Sequence, residues 1–372
     1  MTDSRIDFRP IILAGGSGTR FWPRSRRSAA KQVLALDGER SMIQQTMDRL
    51  RPLAGEDKMW VITNDLLAET IAQQLDVLPR ERVICEPAAR NTAPAAGLAA
   101  FLLERMAPES VLGIFPADHV ITREAAFVKT LRAAIALAVE DENMVVLGIQ
   151  PTHAETGYGY IETGEQLRDG IMHVRRFTEK PNRERAEEFV AAGNYYWNSG
   201  IFVWQAKTLA AAVREHLPEM APLLEEIAAA YGTPRFAAVF ARVYPQCENI
   251  SVDYALLEPR SAKGEHHSNI YCLPTDFGWN DLGSWSALYE HRMSAAQHPY
   301  EGANVVEAAA ESLLDATGNY VYASGKHVAL VGVENLVVVE TDDALLVTTR
   351  NCCQDVGKLV KQLQQKKQDQ IL

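Results

Sequence analysis

The chain has 372 residues, which at about 150 residues per domain predicts two domains. Apolar residues make up 47% and charged residues 23%, a composition that is typical of a globular protein and excludes intrinsic disorder. Asp and Glu outnumber Lys and Arg by 48 to 37 and the net charge is −11. Nucleic acid is therefore not expected as a partner, because binding its backbone needs a basic face.

No segment of the sequence predicts a membrane span or a signal peptide. The longest apolar stretch, residues 93–103, contains Pro94 and Gly97 and is shorter than the ~18 residues that a span needs. The first ten residues include two aspartates and no apolar core. The five cysteines are scattered without a C-x-x-C pair, which favours reduced thiols. We therefore expect a cytoplasmic protein with no membrane partner.

Short apolar runs alternate with segments of helical period over the first 150 residues. The predicted strands are 9–14, 59–63, 82–85, 111–115 and 144–149. The predicted helices are 42–50, 66–75, 93–105 and 125–140. This alternation indicates an α/β fold with a mostly parallel sheet and helices on both faces. Ligands of such sheets bind at the carboxyl ends of the strands.

The pattern changes after residue 150. Residues 151–205 are interpreted as an insertion that binds a substrate, with one helix among short strands. Its predicted strands are 159–162, 172–178 and 201–204. Helical periodicity dominates residues 206–257, and a further strand is predicted at 269–273.

The last part of the chain predicts a small all-β module similar to a β-helix. Its predicted strands are 319–322, 327–331, 336–339 and 344–348. A polar helix rich in Lys and Gln follows at 355–370. The predicted domains are therefore 1–300 and 301–372, and we have no chemistry to assign to the second.

A glycine-rich segment, LAGGSGTR at residues 13–20, directly follows the first predicted strand. Glycines let backbone N–H groups approach a phosphate closely, and Arg20 adds a guanidinium that stays protonated. Lys31 follows eleven residues later. The dinucleotide fingerprint fails at Phe21, and a Walker A loop fails because no G-K-[ST] is present there. The loop predicts phosphate binding and disfavours a dehydrogenase or an ATPase.

This loop, followed by Lys31-Gln32, resembles the opening of the sugar-1-phosphate nucleotidyltransferases. Seven further segments stand in the order found in the bacterial mannose-1-phosphate guanylyltransferases. They are EPAARNTAPA (86–95), FPADH (115–119), TGYGYIE (156–162), FTEKP (177–181), WNSGIFVW (197–204), SVDYALLE (251–258) and GWNDLGSW (278–285). The resemblance covers about residues 10 to 350. It implies a Rossmann-like nucleotidyltransferase domain with a mostly parallel mixed sheet.

The sequence departs from the family pattern in two places. Ala30 stands where the family usually has Pro before the lysine, which affects the rigidity of the loop and not its charge. Many relatives also continue into a cupin-like phosphomannose isomerase domain, whereas this sequence ends at Leu372. We therefore expect no isomerase activity.

The resemblance implies transfer of GMP from GTP to α-D-mannose 1-phosphate, which gives GDP-mannose and pyrophosphate. The sugar phosphate would attack the α-phosphorus in line. Because both reactants are anions, positioning and charge neutralisation would be the main tasks. A general base is unnecessary, since the sugar phosphate is already deprotonated at neutral pH. The expected cofactor is Mg²⁺, and we expect a homodimer.

Two carboxylates are the candidate metal ligands. Asp118 follows an apolar strand and is therefore expected at a carboxyl end of the sheet, beside the glycine loop. The family pattern adds Asp281, and hard carboxylate oxygens suit Mg²⁺. The resemblance also implies that Arg20 holds the β- and γ-phosphates, Lys31 reaches the α-phosphate and Lys180 binds the sugar phosphate.

The resemblance assigns the remaining site residues to the two substrates. Those expected to bind the nucleotide are Leu13, Ala14, Gly15, Gly16, Ser17, Gly18, Thr19, Glu86, Arg90, Asn91 and Thr92. Those expected to bind the sugar phosphate are Tyr158, Gly159, Glu179, Lys180, Asn198 and Asp253. A site that pairs with the hydrogen-bond donors of guanine would reject adenine, because unpaired buried polar groups are costly.

Two alternatives remain open. The same scaffold could use another hexose 1-phosphate or another nucleotide. The chain could also be a non-catalytic paralogue that binds GDP-mannose and regulates a partner. Such a paralogue should have lost a metal or phosphate residue, whereas Arg20, Lys31, Asp118, Lys180 and Asp281 are all present.

Overall fold

The computed structural model describes residues 6–16, 18–295 and 302–372. The strands up to residue 280 are β1 (Phe8–Leu13), β2 (Trp60–Asn64), β3 (Val83–Glu86), β4 (Val111–Pro116), β5 (Val120–Ile121), β6 (Met144–Ile149), β7 (Tyr160–Arg168), β8 (Ile171–Thr178), β9 (Tyr195–Gln205), β10 (Ile270–Thr275) and β11 (Trp279–Asn280). Nine of them form one mixed sheet in the order β3-β2-β1-β4-β9-β6-β10-β8-β7, and β5 pairs with β11 in a separate ribbon.

Helices cover both faces of this sheet. They are α1 (Met42–Leu50), α2 (Asp65–Gln74), α3 (Thr92–Met106), α4 (Glu124–Ala138), α5 (Arg183–Ala192), α6 (Ala206–His216), α7 (Ala221–Ala230), α8 (Phe236–Val243), α9 (Glu258–Ser261) and α10 (Trp285–Ala295). Side chains alternate between the two faces of a strand, so Ile11 joins the core under α3, α6 and α7 while Ile12 joins the core under α1, α2 and α4. None of the helices in the described residues is long and apolar enough to cross a membrane.

The α/β fold predicted for the first half is confirmed. β1 lies between β2 and β4 and is parallel to both, with Leu13 aligned with Pro116. The backbone N–H of Ala117 then donates to the Leu13 carbonyl at 3.0 Å. Because these carboxyl ends are adjacent, the glycine loop after β1 and the segment after β4 lie side by side.

Residues 151–205 contribute three strands to the main sheet. β9 lies between β4 and β6 and is antiparallel to both, while β7 pairs with β8 and β9 at the sheet edge. The sheet is therefore parallel on its β3–β4 side and largely antiparallel beyond it. The helical region predicted over residues 206–257 is divided into separate helices, since Pro218, Gly232 and Pro234 interrupt it.

A further sheet of four strands follows the main sheet in the chain. It contains β12 (Val305–Leu314), β13 (Tyr320–Val331), β14 (Leu336–Glu340) and β15 (Leu345–Thr349). The first three are parallel and β15 is antiparallel to β14, after which α11 (Val356–Gln365) completes the module. We call residues 302–372 the C-terminal module. The predicted boundary between residues 300 and 301 lies outside the described residues.

Two predictions for the C-terminal module were wrong in detail. The two strands predicted at 319–322 and 327–331 form the single strand β13. β12 was missed because its central EAAAES residues favour helix over strand, and nine residue pairings with β13 override that preference.

The C-terminal module shares a buried core with the residues that follow the glycine loop. Phe21 and Trp22 pack in one cluster with Trp285 from α10 and Tyr320 from β13. The indole N–H of Trp285 donates to the Trp22 carbonyl at 3.1 Å. This shared core places α11 beside the glycine loop.

Candidate active site

The glycine loop is held in shape from beneath. The buried amide of Gln32 donates to the carbonyls of Ala14, at 2.9 Å, and Gly16, at 2.8 Å. Gly18 has φ +58°, and a Cβ there would lie 2.6 Å from the backbone N of Lys31, so only glycine fits. Leu13 ends β1, and Ala14 to Gly16, Gly18 and Thr19 follow it at the carboxyl edge of the sheet. Their contacts with a nucleotide stay a prediction, and Ser17 lies outside the described residues.

Lys31 is the centre of the polar site. Its side chain is only 6% exposed, and Nζ lies 3.0 Å from Oδ2 of Asp118 and donates to the backbone carbonyl of Asp281. One ammonium thus joins residues from the middle and the end of the catalytic fold. Burial raises the pKa of Asp118, but the charge and hydrogen bond of Lys31, with His119 and a backbone hydrogen bond, together outweigh burial and lower the pKa of this carboxyl below its ordinary value.

Tyr158 orients the side chain of Asp281. Its hydroxyl donates to Oδ1 of Asp281 at 2.6 Å, and its ring packs edge-on against Trp197 and Trp279 at 5.2 and 5.3 Å. Burial, together with the Asp281 charge, raises the pKa of Tyr158 well above its ordinary value, so the hydroxyl keeps its proton. The sequence predicted a contact with the sugar and missed this role, because no local pattern links residues 158 and 281.

The donor atoms of this site fit a magnesium ion. Lys31 donates a hydrogen bond to Oδ2 of Asp118, and Tyr158 donates one to Oδ1 of Asp281. The other oxygen of each carboxylate can therefore bind a metal ion. Mg²⁺ is commonly bound by one or two protein carboxylates, with phosphates and water completing its shell. Asp118 also lines a cavity of about 440 Å³, through which phosphates can reach it.

His119 is a neutral orienting group and not a metal ligand in this arrangement. Burial lowers its pKa below the ordinary value. The indole N–H of Trp279 donates to Nδ1 of His119 at 3.1 Å, so the ring proton is on Nε2. That nitrogen lies 4.0 Å from Oδ1 of Asp118.

Four of the residues predicted to bind the sugar phosphate form two contacting pairs. Asn198 donates from Nδ2 to Oδ1 of Asp253 at 2.8 Å, and Lys180 contacts the buried carboxylate of Glu179. Burial, followed by the charge of Glu179, raises the pKa of Asp253 to about 7. Gly159 differs from expectation: a Cβ there would lie 2.6 Å from Oε2 of Glu179, so its missing side chain makes room for Glu179.

One cavity of about 440 Å³ is lined mainly by residues predicted to bind the nucleotide, with Asp118 and Asp253. The other residues predicted to bind the sugar phosphate, and Arg20, Lys31 and Asp281, are not part of its described lining. The predicted residues that line it are Leu13, Gly15, Gly16, Glu86, Arg90, Asn91, Thr92, Asp118 and Asp253. Two of them also fix its wall: the Thr92 hydroxyl accepts from the N–H of Val252 at 2.9 Å, and Arg90 donates to the Pro245 carbonyl. A second cavity of about 490 Å³ shares Gly15, Gly16 and Glu86 with the first and extends to α11.

Glu86 lies at the junction of these two cavities. Burial raises its pKa from 4.5 to about 7, against the opposing hydrogen bond that Tyr244 donates to it. Near neutral pH this carboxyl is therefore close to half ionised. The sequence offered no signal for Tyr244, which lies 158 residues from its partner.

Replacing Glu86 with Gln is expected to remove a pH-dependent loss of stability. Because the pKa of Glu86 is raised by folding, the wild type loses stability relative to the variant as pH rises from 4.5 to about 7. The loss is about 3 kcal/mol, because each pKa unit corresponds to about 1.4 kcal/mol. Urea unfolding of both proteins at pH 4.5, 6 and 8 measures it. A difference in unfolding free energy between the two proteins that stays constant with pH would contradict this interpretation.

Comparison with known sequences identifies two regions of the chain. The profile described as Nucleotidyl transferase matches residues 9–298. The profile described as MannoseP isomerase/GMP-like beta-helix domain matches residues 312–363.

Individual relatives match over nearly the whole chain. It is 40% identical to the mannose-1-phosphate guanylyltransferase of Escherichia coli K12 over 363 residues, which cover 95% of this chain and 73% of the relative. It is 39% identical to the xanthan biosynthesis protein XanB of Xanthomonas campestris pv. campestris, covering 96% and 73%. A solved structure from Thermus thermophilus, described as a mannose-1-phosphate geranyltransferase, superposes with TM-score 0.83 at 30% identity and covers 96% of this chain and all of its own.

Proposed function

The chain belongs to the nucleotidyl transferase family, and we propose that it is a mannose-1-phosphate guanylyltransferase. It transfers GMP from GTP to α-D-mannose 1-phosphate and releases pyrophosphate. The observation that carries this proposal is the buried ammonium of Lys31 beside a glycine loop, where it contacts the carboxylate of Asp118 and the backbone carbonyl of Asp281. A buried cation paired with one candidate metal ligand and bonded to the backbone of the other suits transfer between two phosphates, where charge neutralisation dominates.

Each cation is assigned to a different phosphate. Lys31 is assigned to the α-phosphate, because it lies between the two candidate metal ligands. Arg20 is assigned to the β- and γ-phosphates, and Lys180 to the sugar phosphate. Support for Lys180 comes from its positive φ of 43°, a strained backbone state that is common at functional sites.

Asp118 and Asp281 are the residues that would hold Mg²⁺, which would neutralise charge on the reacting phosphates when bound. Lys31 keeps Asp118 ionised, and Tyr158 fixes the orientation of Asp281. Holding these groups before substrates arrive reduces the reorganisation needed during transfer. The sugar phosphate oxygen is the nucleophile, so the chain has to position it and has no proton to remove.

A matrix of substrates tests this function. The purified chain is incubated with Mg²⁺, one of four nucleoside triphosphates and one of several hexose 1-phosphates, and pyrophosphate release is measured. GTP with mannose 1-phosphate is expected to be among the best pairs. A clear preference for another pair would identify the alternative enzyme on this scaffold, and nucleotide binding without turnover would identify a regulatory paralogue.

Three further properties belong to this proposal. We assign the enzyme to the cytoplasm, where GTP is available and where the five free cysteines would stay reduced. We also propose a homodimer, to be tested by light scattering. Finally, we propose two domains: a catalytic domain at residues 1–300 and a small C-terminal domain at residues 301–372.

A further inference from the structure

The guanidinium of Arg20 reaches across to the C-terminal module. Its Nη1 donates to Oε1 of Gln354 at 3.1 Å. Gln354 lies in the turn Arg350–Asp355, which connects β15 to α11. The partners are 334 residues apart in the chain, and the shared core around Trp22 and Trp285 brings them together.

Two further contacts define where Arg20 lies. A Cβ at Gly357 would lie 3.6 Å from Cγ of Arg20, so the first turn of α11 packs against the aliphatic part of the side chain. A Cβ at Gly283 would lie 3.4 Å from Nη1 of Arg20 and 3.0 Å from Oδ2 of Asp281. The guanidinium is thus held between α11 and the segment that carries Asp281.

The side-chain amide of Gln354 is suited to orienting the guanidinium of Arg20 for a phosphate ligand. Arg20 is exposed, and a free arginine side chain loses rotamer entropy when it binds a phosphate. An amide oxygen orients the guanidinium without cancelling its charge, whereas a carboxylate would compete with the phosphate. The neighbouring carboxylate, Asp355, instead pairs with Lys358 at 2.7 Å.

We propose that Gln354 is a positioning residue for the guanylyl transfer reaction: it holds Arg20 toward the leaving pyrophosphate, so the C-terminal module takes part in nucleotide binding. This inference rests on the proposed function, which assigns the β- and γ-phosphates to Arg20. It gives the module a direct role in substrate affinity in addition to its packing on the catalytic fold.

The test replaces Gln354 with Leu, which removes the acceptor at similar size, and compares it with Gln362→Leu, an exposed glutamine on α11. Affinities for GTP and for pyrophosphate are measured by calorimetry on the full chain, and KM for mannose 1-phosphate by turnover. Gln354→Leu is expected to weaken GTP and pyrophosphate binding about fivefold. KM for mannose 1-phosphate and the melting temperature should stay close to those of Gln362→Leu.

A double-mutant cycle separates positioning from a general structural effect. In an Arg20→Ala background, Gln354→Leu should cause no further loss of pyrophosphate affinity, because its only effect is through Arg20. Wild-type affinity in Gln354→Leu, or an equal loss in both backgrounds, would overturn the inference. If the wild type makes no GDP-mannose but the cycle still shows coupling, the proposed function fails and the positioning role stands.

Discussion

Asp281→Asn is expected to lower kcat by about 10²-fold or more, since it removes a charge that acts on the reacting phosphates. The substituted side chain can still accept the hydrogen bond from Tyr158, which in the wild type is 2.6 Å long. The decrease in kcat would therefore result from the missing charge and not from a change in the conformation of the site. Asp118→Asn is expected to have a similar effect, because it removes the other carboxylate.

The measurement is pyrophosphate release at saturating GTP, mannose 1-phosphate and Mg²⁺. Nucleotide binding is measured separately without metal and should persist in both variants. Asp169→Asn is the matched control, because this aspartate is exposed in the turn between β7 and β8. Turnover near the wild-type rate in either site variant would remove the metal assignment.

Lys31→Met is expected to lower kcat by about 10²-fold and to destabilise the protein as well. The ammonium is buried, and its loss leaves the Asp118 carboxylate without its partner. Since Lys31 lowers the pKa of Asp118, its stabilising effect is present above the ordinary pKa of 3.8 and is lost as pH falls below it. At pH 7 the expected cost is about 1–2 kcal/mol, discounted because Asp118 is partly exposed.

Turnover at pH 7, and urea unfolding at pH 7 and at pH 3, below the ordinary pKa of 3.8, measure these two effects of Lys31→Met. Lys129→Met is the matched control, because Lys129 is exposed on α4. The difference in unfolding free energy between wild type and Lys31→Met should be larger at pH 7 than at pH 3. A variant that keeps the wild-type rate would show that Lys31 serves the fold alone.

The sequence determined the elements that have a strong local pattern. β6 and α1 have the predicted bounds, β4 differs from prediction by one residue at one end, and β1, β2, β3 and α3 differ by one residue at each end. The expectation that Asp118 lies beside the glycine loop was also reasoned from sequence, because adjacent parallel strands bring their carboxyl ends together. The structure agrees, with Leu13 aligned to Pro116. Periodicity, turn residues and motif order carry this information within short windows of the chain.

Only the tertiary structure decided the contacts between distant residues. Tyr158 with Asp281 and Arg20 with Gln354 join residues 123 and 334 positions apart, and the central location of β9 depends on pairing with β4 and β6. A short window of sequence indicates which secondary structure a residue favours, but it does not indicate which distant residue the side chain contacts. Those contacts are fixed by tertiary packing and strand pairing. Pairing with β13 is why β12 is a strand despite its helix-favouring residues.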